Sequence, residues 1–161
     1  MPIRDWFNAR KVRRELISVA VLPRRASCFR GVMEFQLPAD FRIRRKTESR
    51  TEFSGSRSGM ELLVMRMPFS VNVRCITAAD LQLAFRHVLP MQSAPAVQYS
   101  FLRHSPALTA VWRASSETES LLHLIQVRGT VFLMLVTKIP ADGRETAEGI
   151  VRSAELHTAL L

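Results

Sequence analysis

The sequence predicts an α+β protein: an antiparallel sheet flanked by helices, an α/β/α sandwich, with a basic segment leading into it. Three observations carry this. Leu121–Val127 and Val131–Ile139 are two almost continuously apolar runs joined near Arg128-Gly129-Thr130. A strand apolar on both faces must be covered on both, so these two are expected at the centre of the sheet. Thr77–Leu89 carries a helical stripe, Leu81, Ala84, Phe85 and Val88, which suits one of the covering layers. Finally, residues 1–50 hold 13 Arg or Lys against 5 Asp or Glu, whereas residues 51–161 hold ten against nine. A cationic leading portion is thus joined to a nearly neutral, apolar-patterned body, and the division is read as a basic segment over 1–31 and a single domain over 32–161.

Taken in order, residues 3–17 offer a weakly patterned short helix with Asp5 as cap and Trp6 as anchor, and 16–22 an extended apolar run stopped by Pro23. Arg13-Arg14, the run Leu16–Leu22 and Ala26-Ser27-Cys28 follow the order of parts in an export signal. The run is short for such a signal, and Pro23-Arg24-Arg25 puts charge where a lipoprotein signal wants an apolar residue. A cytoplasmic location is expected, with export to the envelope as the alternative. No stretch reaches the ~18 apolar residues that span a bilayer.

Val32–Leu37 reads as a strand ended by the turn Pro38-Ala39-Asp40, and Phe41–Lys46 as a basic stretch. Arg50–Ser54 and Met60–Met67 read as two strands around the loop Gly55-Ser56-Arg57-Ser58-Gly59. Thr77 is a natural N-cap for the helix that follows, and Pro90 closes it. Val97, Tyr99 and Phe101, then Leu108, Ala110 and Trp112, alternate as strands should, and with the two apolar runs they make a four-strand meander. A last helix is expected from about Arg144 to His157, placing Ala147, Ile150, Val151 and Ala154 on one face.

This order of elements resembles the PsbP/DcrB-like α/β/α sandwich. The residues that carry the resemblance are Phe35-Gln36-Leu37-Pro38-Ala39-Asp40-Phe41, the strand end Arg66-Met67-Pro68, and Gly129-Thr130-Val131-Phe132-Leu133-Met134. A closing helix with Ile150-Val151-Arg152-Ser153 completes the pattern, which covers roughly residues 32–157. The resemblance implies a mostly non-enzymatic group: photosystem II accessory proteins, envelope lipoproteins, a Ran-binding import factor and the Eag chaperones of type VI secretion. Likeness to the Eag chaperones would imply a dimer that shelters apolar helices of an effector.

The residues themselves give no catalytic constellation. His87, His104, His123 and His157 include no i, i+4 pair, and none lies near Cys28 or Cys75, so no metal site is expected. His123, inside an apolar strand, reads as a core histidine. Gly55–Gly59 has the glycine spacing of a nucleophile elbow, but Arg57 stands where the serine must be. Glu117 and Glu119 sit in a polar turn and read as solvated. No cofactor is expected.

Two functional readings follow. In the first, the chain is a non-enzymatic protein-binding module, an adaptor or chaperone that engages an effector or subunit and possesses a homodimeric option. Its apolar contact is expected at Met60, Leu62, Val64 and Met67. In the second, nucleic acid or anionic lipid is bound by Arg10, Lys11, Arg13, Arg14, Arg42, Arg44, Arg45 and Lys46, because phosphate recognition needs several cations on one surface.

Overall fold

The computed structural model describes residues 23–70, 96–102, 105–113 and 118–160. The expected helices over 3–17 and 77–89, the extended run 16–22, and the cations Arg10, Lys11, Arg13 and Arg14 lie outside these residues.

Among the described residues ten strands form two antiparallel sheets. The larger has seven strands in the order β3-β4-β5-β9-β8-β7-β6. These are β3 (Phe41–Lys46), β4 (Arg50–Gly55), β5 (Glu61–Ser70), β6 (Ala96–Leu102), β7 (Ser105–Arg113), β8 (Glu119–Val127) and β9 (Thr130–Ile139). The smaller sheet has the order β1-β2-β10, from β1 (Arg24–Cys28), β2 (Met33–Leu37) and β10 (Glu155–Leu156). The one helix among the described residues, α1, spans Arg144–Arg152.

The centre of the large sheet is the predicted hairpin. Val127 pairs with Thr130 across Arg128 (φ 48°) and Gly129 (φ 81°). Two successive positive φ values are what a tight two-residue β-turn needs to match the right-handed twist of the strands it joins. Both faces of β8 and β9 are buried along most of their length. On one face Leu121, Ile125, Phe132, Met134 and Val136 join a core with Met33, Phe35 and Leu37 of the small sheet and with Ala147, Ile150 and Val151 of α1. Phe35 meets Phe53 edge-on at 5.8 Å, and Phe29 meets Phe132 at 5.3 Å. The small sheet therefore closes over the large one through aromatic contacts as well as through aliphatic area. Leu122, Leu124, Val131, Leu133 and Leu135 fill the opposite face and are buried too.

Three expectations are corrected, and one stretch that the sequence left without an element gains one. Met60, Leu62, Val64 and Met67 do not form a surface patch: all four are buried, and the first three belong to the core. Alternation with Glu61 and Leu63 turns Met60, Leu62 and Val64 toward the face that the small sheet and α1 cover. The charge-based boundary before residue 32 cuts through a folded hairpin, since Arg24–Cys28 pairs with Met33–Leu37. The final helix stops at Arg152 rather than running to His157, because Gln36 N–H donates to Ser153 Oγ and Glu155-Leu156 pairs with β2. The basic stretch Phe41–Lys46 is a strand, paired with β4.

One irregularity positions charge. Leu121 pairs with Val136 and Glu119 with Ile139, so Thr137 and Lys138 together oppose Ser120. This is a β-bulge, and Lys138 sits in the left-handed region at φ 55°, as the extra residue of a bulge can. The bend carries Lys138 Nζ to 2.8 Å from Glu61 Oε1.

Candidate interaction surface

Four cations, Arg42, Arg44, Arg45 and Lys46, fall on the short strand β3. Phe41, its first residue, is buried under the small sheet, while Arg42 to Lys46 are all exposed. β3 pairs with β4 on one side and has no strand on the other among the described residues. Its register sorts the side chains. Phe41, Ile43 and Lys46 stand opposite Gly55, Phe53 and Thr51, all buried on the core face, whereas Arg42 and Arg45 stand opposite Ser54 and Glu52. A shift between Ile43 and Arg45 leaves Arg44 as the inserted residue. Ile43, at 55% exposure, is one of two large apolar side chains exposed among the described residues, with Leu160.

Not every cation here is equally available. Arg42 Nη1 donates to the carbonyls of Ala39 (2.5 Å) and Phe41 (2.9 Å), and Arg24 also donates to the Phe41 carbonyl. Arg44 reaches Glu61 at 2.9 Å, beside Lys138, and Arg50 reaches Glu52 at 2.6 Å. Arg44, Arg50, Glu52 and Glu61 rim a shallow cleft of about 140 Å³ floored by Leu63, Leu135 and Thr137. Cations and carboxylates alternate across it, so it presents no single sign. Arg57, at the tip of the 55–59 loop, is held by its own backbone: its N–H donates to Asp40 Oδ2 at 2.8 Å. Gly55 at the base of that loop admits no side chain, since a Cβ there would lie 2.6 Å from Ser58 Oγ and 2.7 Å from the Phe41 ring.

A second ionic group ties the C-terminal strand to the small sheet. Arg25 pairs with Glu34 (2.6 Å) and Glu155 (2.9 Å), and His157 Nε2 lies 3.0 Å from Glu34 Oε2. The hydrogen bond with His157, then Arg25, holds the Glu34 carboxyl below the usual carboxylate range. Glu34, Glu155 and His157 bring three potential cation ligands together. The Arg25 guanidinium already satisfies both carboxylates, so the arrangement works as an ion-pair clasp.

The remaining chemistry-bearing groups are interior. His123 is 4% exposed; its Nδ1 shares a 2.7 Å hydrogen bond with Thr109 Oγ1, and its Nε2 is unpartnered. Burial pushes its pKa down to about 4, so the ring is neutral in the fold. That matches the core-histidine reading of the sequence. Cys28 is a free, buried thiol whose pKa burial pushes up to about 11, against smaller opposing effects of the Thr51 hydrogen bond and Lys46. A thiol so protonated is a poor nucleophile. Glu119 lies 3.8 Å from Arg144, while Glu117, His87, His104 and Cys75 are outside the described residues. The Thr109 hydroxyl and the His123 ring are joined, but the ring is buried within the sheet.

These features belong to a PsbP-like fold. Over 85% of the chain the structure matches the solution structure of cyanobacterial PsbP (CyanoP) from Synechocystis sp. PCC 6803, covering 94% of that chain, with a TM-score of 0.59 at 12% identity. A crystal structure from Bacteroides thetaiotaomicron VPI-5482 matches 83% of the chain with a TM-score of 0.54, also at 12% identity, and this chain spans 48% of it. No family model matches the sequence, and neither does any curated protein. At such identity the likeness is one of fold. The sequence cues at 35–41, 66–68 and 129–134 therefore pointed to the PsbP-like fold.

Proposed function

We propose that this chain is a non-catalytic protein-binding module. The observation that supports the reading is the edge strand β3, with five consecutive exposed residues, four of them cationic, beside a corner where Arg44, Arg50 and Lys138 interleave with Glu52 and Glu61. A polyphosphate presents one sign of charge and is recognised by an unbroken cationic surface. Interleaved signs suit another protein, whose surface charges can be complementary point by point. An adaptor or chaperone role in a bacterial secretion or envelope system is the form of this reading that the resemblance to the Eag chaperones implies, with an effector or subunit as partner. The free Cys28 thiol fits a reducing, cytoplasmic setting. The fuller architecture, helices over both faces of the sheet, is supported by burial of Leu122, Leu124, Val131 and Leu133 on the face away from α1.

The test is affinity capture of the full chain from a nuclease-treated lysate, with cross-linking mass spectrometry to locate the contact. A specific protein cross-linked to the folded body is expected. Capture that disappears with nuclease treatment would overturn the reading in favour of nucleic acid. That second reading has its own support in the exposed Arg42, Arg45 and Lys46, and predicts retention on heparin that falls steeply with salt.

A further inference from the structure

We infer that β3 is a docking edge for an acidic, extended protein segment, which adds to the large sheet as an eighth strand. The inference rests on the protein-binding reading above and specifies its occupant. Strand addition needs a strand with one side unpaired, and among the described residues β3 is the end of the order β3-β4-β5-β9-β8-β7-β6. An open edge offers backbone N–H and C=O groups to any extended chain, so native proteins guard edges with charge and bulges. β3 has both guards: Arg42, Arg44, Arg45 and Lys46, and the register shift at Ile43–Arg45. The cations exclude basic or neutral strands and admit one whose side chains carry the opposite sign. Self-pairing of β3 in a second copy is disfavoured on the same ground, because it would set Arg and Lys against Arg and Lys, and like charges directly opposite are destabilising.

The side-chain alternation refines the occupant. Arg42 and Arg45 project on the sheet face away from the core, and Ile43 and Lys46 on the core side. Carboxylates on one face of the incoming strand would meet Arg42 and Arg45. An apolar residue on its other face would cover Ile43, which is otherwise 55% exposed. The Phe41 carbonyl is already taken by Arg24 and Arg42, which confines the ladder to 42–46 and makes it short.

The experiment uses the full chain and short labelled peptides: one alternating Glu and Val, one alternating Glu and Pro, one alternating Lys and Val, and an oligothymidylate. Glu–Pro keeps the charge but has no N–H groups at its prolines with which to complete a ladder. The Glu–Val peptide is expected to bind at low salt and to slow hydrogen exchange at the amides of residues 42–46. Arg45→Glu with Lys46→Glu is expected to weaken it about tenfold or more, and Ile43→Lys to weaken it without altering the fold by circular dichroism. Equal binding of the Glu–Pro peptide, binding of the oligothymidylate alone, binding of the Lys–Val peptide, or no binding at all would each overturn the inference. Partners captured from lysate that survive Arg45→Glu with Lys46→Glu would remove strand addition while leaving the binding-module reading in place.

Discussion

The hairpin β8–β9 and the strand β3 belong to one sheet and are governed by opposite rules. The hairpin is buried on both faces, and its neighbours are Leu, Ile, Val, Phe and Met. β3 buries Phe41 and exposes everything after it. Burial fixes the first, since each core side chain removed from water contributes of the order of 1.5–3 kcal/mol. Charge governs the second, where ion pairs of exposed groups contribute ~0–1 kcal/mol and screening by salt reduces them further. Stability should therefore reside in the hairpin and recognition in the edge, and substitutions can separate the two.

The largest effect is expected at Phe132→Ala. The ring is fully buried and tilted against Phe29, and truncation should cost about 3–5 kcal/mol by urea unfolding. Next is a pH effect from the same hairpin. His123 has its folded pKa lowered from 6.5 to about 4, so between those values the unfolded chain takes up a proton that the folded chain does not. Stability should fall as pH drops through that window, by on the order of 3 kcal/mol, and the loss is complete below the folded value. His123→Leu should flatten this slope relative to wild type, and an unchanged slope would show that the ring is not buried neutral. A smaller effect is expected at Gly55→Ala, about 1–3 kcal/mol, because the new methyl meets Ser58 and the Phe41 ring. Glu34→Gln should destabilise slightly at neutral pH. Because the Glu34 pKa is lowered, that difference should fade as pH falls below its ordinary value of 4.5. The smallest effect belongs to the edge: Arg45→Ala should leave the urea midpoint within ~0.5 kcal/mol of wild type while weakening partner binding.

Much of the hairpin half was legible in the sequence, because its signals are local. Unbroken apolar runs, the Arg128-Gly129 turn and the alternation in 97–112 each announce a strand without reference to distant residues. The helix start at Arg144 was equally plain, with Ala147, Ile150 and Val151 on its buried face. The edge half was less legible. Arg42–Lys46 carries no apolar alternation, since an edge strand with an exposed face needs none, and its strand state comes from pairing with β4. The cations of the candidate site could be seen as a cluster, but not that they lie on a free sheet margin, which depends on which strand ends the order. Met60, Leu62 and Val64 held the signal that was misjudged: they alternate with Glu61 and Leu63 as inward residues do, and only the packing of the small sheet and α1 on that face decides which side is inward. β10 is two residues long and exists through Glu34 and Met33 across from it, so nothing near it in the chain foretells it.

The extra residue at Thr137–Lys138 also resets the parity of β9. Upstream, the even-numbered side chains Phe132, Met134 and Val136 point into the core; downstream it is Ile139, an odd one, that is buried there. Strict alternation from Val136 through both residues, without the bulge, would turn the Lys138 ammonium toward the hydrocarbon interior and expel Ile139 into water. The left-handed backbone at Lys138 thus returns Ile139 to the core, and deleting Thr137 should be tolerated better than an insertion beside it, because the deletion restores a regular ladder with Ile139 still inward.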